Sequence, residues 1–155
     1  MSLSAVRIGS AFLGRVAVAN KLGLKKIGYL ESEISEIKTL PKGWNIGYSN
    51  TYTTKKETKV AIVPTGYAEG YHMKLSSDML SFGNKVRDII QAIKRLFKDT
   101  TLYVEIANKR YPILGRIGMY HVTVDTTGED FEIGKKVKMN ANPLYVDSSV
   151  RRLYR

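Results

Sequence analysis

Apolar residues along the chain recur mostly at every second position, and one stretch recurs at helical spacing instead. Near the start, AVRIGSAFLGRVA is small and apolar and predicts a short buried strand followed by a loop. From Lys26 to Leu40, KIGYLESEISEIKTL sets Tyr29, Ile34 and Ile37 against Glu31, Glu33 and Glu36. The alternation predicts a single long strand, with one slip of the kind a β-bulge produces. Pro41-Lys42-Gly43 is a turn signal. NIGYSNTYT is rich in tyrosine and threonine, side chains that fit a pleated surface, and so reads as strand. Lys59 to Pro64, KVAIVP, is a continuous apolar strand closed by proline, and TGYAEGY after it is a tight turn bounded by glycines.

Between Asn84 and Lys98 the period changes. Val86, Ile89, Ile90, Ile93, Leu96 and Phe97 repeat as on one face of a helix, Asn84 is a fitting N-cap, and Lys85, Arg87, Lys94 and Arg95 take the other face. The stripe is wide and aliphatic, which favours packing against a core over lying on a membrane surface. Strands then return. LYVEI alternates, ANKRYP carries a hairpin-like turn, ILGRIGMYHVTVDTT is a long strand region, and Glu132 to Val137 is a turn into a further short strand. The pattern predicts a mainly β fold, an antiparallel, barrel-like sheet with one amphipathic helix inserted at about residues 84–98.

Composition narrows the chemistry more than it names it. With 155 residues and 43% hydrophobic content the chain can bury a core. It has no cysteine, which removes disulfides, thiolate zinc sites and thiol nucleophiles and fits a reducing, cytoplasmic setting. No apolar run approaches membrane-spanning length. The net charge of +11 suits an anionic partner, but the lysines and arginines are spread along the whole chain, densest at Lys55-Lys56, Lys85 to Lys98 and Arg151-Arg152. A basic β module that stacks single-stranded nucleic acid on tyrosines therefore stands as one alternative. The two histidines, His72 and His121, have no metal-ligand spacing, and no metal site is expected. There is no phosphate-cradling glycine loop. Asp125 and Asp130 flank a glycine-containing turn and read as turn carboxylates, and Ser148-Ser149 has no nucleophile elbow around it.

Three stretches taken in order carry a more specific signal. IGYSNTYT is similar to the catalytic-tyrosine segment of alanine racemases ("GYGxTY", "SYGATYT"). AIVPTGYAEGY resembles their "xxPxGYADGx", and PILGRIGMYHVTVD their "PIVGRICMDQxxVD". VRIGSAFLG, near the start, resembles the segment that ends the family's barrel ("VRPGIxLYG"). The resemblance runs from about Lys26 to Lys138 and identifies the chain as similar to the carboxy-terminal domain of these pyridoxal-phosphate (PLP) enzymes. It implies residues 1–20 as the end of a barrel or linker and residues 21–155 as the carboxy-terminal β domain. It further implies a head-to-tail homodimer, in which this domain meets its own amino-terminal barrel and reaches over that of a second subunit. The cofactor's Schiff-base lysine belongs to the barrel, so the chain by itself is expected to be inactive.

The same resemblance assigns roles one residue at a time. Tyr48 falls on the catalytic tyrosine, which exchanges the α-proton of a small amino-acid substrate on one face while a lysine serves the other. A phenol ordinarily loses its proton near pH 10, so acting as a base near neutrality requires about 4 kcal/mol of help, which neighbouring cations must provide. Met119 falls on a methionine whose backbone N–H helps hold the substrate carboxylate. Tyr67 and Arg116 fall on residues at the mouth of the active site, and Ser148 lies where a tyrosine contacts the cofactor phosphate. The chain also departs from the pattern. Tyr120 replaces an aspartate, Glu69 replaces the aspartate of "YADG", and Met73 stands near a second arginine of the mouth. Alanine is the implied substrate. Serine racemases of the glycopeptide-resistance type share the domain and give an alternative, and a non-catalytic dimerisation domain on the same fold gives another.

Overall fold

In the computed structural model of the chain, the described residues are 5, 8–15, 21–72 and 101–154. The helix expected at about 84–98, and Met73, lie outside them. Nine strands are present among the described residues: β1 (Leu30–Glu33), β2 (Glu36–Leu40), β3 (Asn45–Ile46), β4 (Tyr52–Thr53), β5 (Thr58–Val63), β6 (Tyr103–Ile106), β7 (Lys109–Leu114), β8 (Val122–Asp125) and β9 (Lys136–Met139). Seven of them form one sheet in the order β1-β9-β6-β7-β8-β5-β2, and β3 and β4 form a separate small hairpin. Every pairing is antiparallel. The fold is mainly β, as the alternation predicts.

The two outermost strands, β1 and β2, are consecutive in the chain. Only Ile34 and Ser35 separate them, so one run of backbone pairs with β9 through its first half and with β5 through its second. The corner keeps its hydrogen bonds on both sides: Ile34 N donates to Lys135 O and Ser35 N to Ile62 O. The sheet therefore curls round until its ends meet in a single segment. The slip in KIGYLESEISEIKTL marks this corner. Leu30 and Ile34 point inward on even numbers, whereas Ile37 packs inward on an odd one. The expectation of one long strand is thus corrected to two strands that serve opposite edges of the sheet.

The interior is aliphatic. Ile34, Val63, Val104, Ile106, Val122, Val124, Val137 and Met139 are essentially inaccessible to solvent, and each contributes about 1.5–3 kcal/mol through burial. A second, smaller cluster lies on the other side of the sheet, where Val60 and Leu114 meet Ile46, with Leu40 and Tyr52 against them. This cluster seats the β3–β4 hairpin on the outside of the sheet. It also explains why KVAIVP is apolar throughout: β5 is covered on both faces, so alternation is lost.

Other expectations are adjusted. AVRIGSAFLGRVA does not form a buried strand where it is described. Ser10–Leu13 is a single 3-10 turn and Phe12 is 75% exposed. ILGRIGMYHVTVDTT is not continuous strand either, because residues 115–121 form a loop between β7 and β8. ANKRYP does hold a hairpin turn, with Ile106 paired to Lys109 across Ala107-Asn108. Asp125 does act at a turn, accepting from Thr127 N (2.9 Å), whereas Asp130 pairs with Lys59 Nζ of β5 (3.0 Å).

Candidate functional site

Three loops collect at one end of the curled sheet. β5 ends there at Val63, paired with Val122, the first residue of β8, and Leu114 at the end of β7 pairs with Thr123. The turn Thr65–His72 leaves from β5, the loop 115–121 links β7 to β8, and the tip of the β3–β4 hairpin packs onto that loop.

Tyr48 sits at the hairpin tip. Isolated two-residue strands hold together poorly, and here the base is fixed by a buried threonine. Thr54 exchanges backbone hydrogen bonds with Gly43 and Trp44, its Oγ1 accepts from Trp44 N (2.8 Å), and it donates to Pro41 O (2.6 Å). Above this base, Gly47 takes φ +82, and Ser49 and Asn50 also adopt positive φ, at 60° and 50°. Left-handed serine is uncommon, and such strained backbone tends to gather at functional sites. The result is a Tyr48 ring that is 61% exposed at the end of a firmly anchored turn. The strand expected for NIGYSNTYT is in fact two short strands flanking this turn.

The neighbouring loops place the other candidates. Backbone of the 115–119 segment touches the hairpin at Gly47, where an added Cβ would lie 2.7 Å from Arg116 N. The same segment receives the Thr65–His72 turn on its other side: Tyr67 N donates to Gly118 O (3.1 Å) and Ala68 N to Met119 O (3.0 Å). Inside that turn the Glu69 carboxylate accepts from Gly66 N (2.8 Å), the job an aspartate would do with a shorter arm. Tyr67 is 43% exposed, Met119 41% and Tyr120 63%, and Arg116 is exposed as well. Among the described residues no hydrogen bond claims the Met119 N–H. The structure thus brings Tyr48, Arg116, Met119 and Tyr67 into one loop cluster, with Tyr120 beside them.

Ser148 reaches the cluster less directly. Asp147 N donates to Glu69 O (3.3 Å), so the tail lies against the back of the Thr65–His72 turn. Ser148 itself is exposed, between Asp147 and Ser149. Asp147 Oδ1 accepts from Ser149 N (2.8 Å), and the hydrogen bonds from Ser149 hold its carboxyl below the usual carboxylate range. An ionised carboxylate beside Ser148 opposes a phosphate there. Tyr48, Arg116 and Met119 thus lie on loops that meet, whereas Ser148 lies on the tail against the Thr65–His72 turn, beside the Asp147 carboxylate.

Among the described residues, several of the lysines are neutralised by carboxylates. Lys38, Lys59, Lys109 and Lys136 pair with Glu36, Asp130, Glu129 and Glu31 at 2.9–3.5 Å. Among the described residues no group of His, Cys, Asp and Glu is arranged to hold a metal ion, and no helix is long and apolar enough to cross a membrane. Two features escaped the sequence reading: the Thr54 lock, which hid in a threonine-rich run, and the glycine contacts between loops, which have no side chain to announce them.

Comparison with known proteins agrees with this picture. Residues 27–151 match the family described as "Alanine racemase, C-terminal domain". A lysine racemase from Proteus mirabilis is 31% identical over 125 residues, covering 81% of this chain and 25% of that protein. The chain therefore spans about a quarter of the length of that relative. The solved alanine racemase from E. faecalis is 28% identical with a TM-score of 0.58, covering 86% of this chain and 30% of the other. The solved alanine racemase from Bartonella henselae, which has covalently bound pyridoxal phosphate, shares the fold at TM-score 0.53 and 20% identity, covering 76% of this chain and 27% of the other. With the match spanning all nine strands and all three converging loops, the chain belongs to the alanine racemase carboxy-terminal domain family.

Proposed function

We propose that the chain is the carboxy-terminal domain of a PLP-dependent amino-acid racemase and that it contributes Tyr48 as the acid–base group on one face of the substrate. The observation that carries this reading is the exposure of Tyr48, 61%, on an anchored hairpin packed against the loop of Arg116 and Met119. Racemisation takes a proton from one side of a carbon and returns it to the other, so it needs two groups on opposite sides. Tyr48 Oη gives or takes the proton on one side, and the second group comes from a barrel domain. When bound, PLP supplies the electron sink that makes such a proton removable.

The remaining residues bind and orient. Arg116 attracts the substrate carboxylate at the mouth, where a guanidinium can hold it with two hydrogen bonds. The free Met119 N–H donates to that carboxylate, and a backbone donor serves whatever side chain stands there. Tyr67 narrows the approach. The substrate is alanine, with serine as the nearest alternative. The relative from Proteus mirabilis is a lysine racemase, so pocket size is set by more than the elements these proteins share. The partners are the protein's own barrel and a second subunit in a cytoplasmic homodimer, which makes the chain alone inactive.

The test joins this chain to an alanine racemase barrel and follows interconversion of D- and L-alanine in both directions. Tyr48→Phe should lower turnover by about 10²–10⁴-fold, the range for removing a positioned acid–base group. A Tyr48→Phe protein that keeps its full rate in both directions overturns the assignment.

A further inference from the structure

The loop between β7 and β8 is gripped from two sides through glycines. On one side Gly47 and Gly115 interlock. A Cβ on Gly47 would stand 2.7 Å from Arg116 N and 3.4 Å from Gly115 Cα, and a Cβ on Gly115 would stand 2.6 Å from Ile46 O. On the other side a Cβ on Gly66 would run into the carbonyl oxygens of Gly118 and Met119. The Tyr67 and Ala68 amides close that second contact by donating to the same two carbonyls. Backbone thus meets backbone on both faces of one short segment, with the Thr51 hydroxyl and an Ile46 methyl group alongside the first contact.

We infer that Gly115–Met119 is a positioning element which sets the placement of Tyr48 relative to Tyr67 and Met119 chiefly through backbone contacts, with Gly115 and Gly66 as its two adjustable faces. This rests on the functional reading of Tyr48. The physical reason is the stiffness of such a joint. A side-chain contact can change rotamer when a neighbour moves, whereas stacked peptide groups shift only if the whole loop shifts. Tyr48 and Tyr67 lie on different loops, and the segment that carries the substrate-holding Met119 N–H lies between them, so both are referenced to it. Misplacement by about 1 Å is enough to cost on the order of 10²-fold in rate.

The fold provides a control for the backbone strain that replacing a left-handed glycine brings. Gly115 has φ +70 and Gly128 φ +85, but a Cβ on Gly128 would meet nothing within 4 Å. Gly128→Ala therefore imposes the left-handed cost without touching a loop contact.

The experiment measures backbone amide spectra of the full 155-residue chain and kinetics of the same variants joined to an alanine racemase barrel. Gly115→Ala should move the amide signals of Tyr48 to Asn50 more than those of Ala68 to Gly70. Gly66→Ala should do the reverse, and Gly128→Ala should move neither set. In the joined enzyme Gly115→Ala should lower kcat by about 10²-fold with KM changed less than about 3-fold, and Gly66→Ala should mainly raise KM. If Gly115→Ala does not fold, Gly47→Ala opens the same joint from the hairpin side and should give the same pattern. Tyr48 signals that stay as they are in Gly128→Ala overturn the positioning role. Signals that move as expected with kcat unchanged overturn instead the assignment of Tyr48 as acid–base group, so the two failures are told apart.

Discussion

Tyr48 is one of ten tyrosines, and what sets it apart is where the backbone puts it. It is followed by two left-handed residues and anchored through Thr54, so an exposed ring is held without packing of its own. Tyr71, at the far end of the same glycine-rich turn as Tyr67, has the opposite fate. It is buried in the core, and burial pushes its hydroxyl from 10.0 up to about 12. Tyr111 is raised as well, first by burial and then by the hydrogen bond to, and negative charge of, Glu129. In both cases the unfolded chain releases the proton at lower pH than the folded one. The Tyr71 contribution to stability is therefore complete below about pH 10 and is lost as pH rises through about 12, and Tyr111 acts in the same direction, because the folded state binds the extra protons. Urea melts of the full chain should show the midpoint falling between about pH 10 and about pH 11, and Tyr71→Phe should make that fall shallower. An unchanged slope in Tyr71→Phe would mean that Tyr71 does not govern the alkaline limb.

Among the elements, the β6–β7 hairpin shows how local chemistry and pairing can disagree. Its two-residue turn, Ala107-Asn108, has φ of 49° and 64°, the twist that joins antiparallel strands best. Asparagine tolerates that conformation, but alanine does not adopt it readily, so Ala107 is held there by the strands on either side. Ala107→Asn should raise stability by about 0.5–1 kcal/mol, read as a higher thermal midpoint, because it removes a strain and touches no other contact. A lower midpoint would show that the methyl group packs usefully. The hairpin that carries Tyr48, β3–β4, lies outside the main sheet and depends on Val60 and Leu114 to receive it. Its strands were legible as Thr/Tyr-rich sequence. Its brevity was not, because the left-handed turn at Ser49-Asn50 uses residues that could equally continue a strand.

On the scale of the molecule, two exposed regions stand out among the described residues. One is the loop cluster of Tyr48, Tyr67, Met119 and Tyr120. The other is an apolar groove of about 640 Å³ lined by Ile27, Tyr29, Leu144, Val146, Leu153 and Tyr154, among others. At its rim Arg15 ties the early segment to the domain, bonding to Gly28 O, Asn140 Oδ1 and Ala141 O. Unpartnered apolar surface of this kind drives association. The isolated chain is expected to self-associate as its concentration rises, and light scattering should report a mass above that of the monomer. A strict monomer at high concentration would count against an interface on this face.

The chain alone determined the mainly β character, several of the turns and the three motifs in their order, because strand alternation and turn chemistry are properties of neighbouring residues. It also held a trace of the corner at Ile34-Ser35, visible as a change of parity that reads equally well as a bulge. Only the tertiary structure decided that this corner closes the sheet, since the two strands it joins are recognised by their partners, β9 and β5, and not by their own sequence. The site was divided in the same way. Its residues could be named one motif at a time, but their meeting depends on contacts between glycines far apart in the chain. A glycine there contributes the absence of a side chain, and an absence leaves no periodic or chemical mark from which a distant contact could be read.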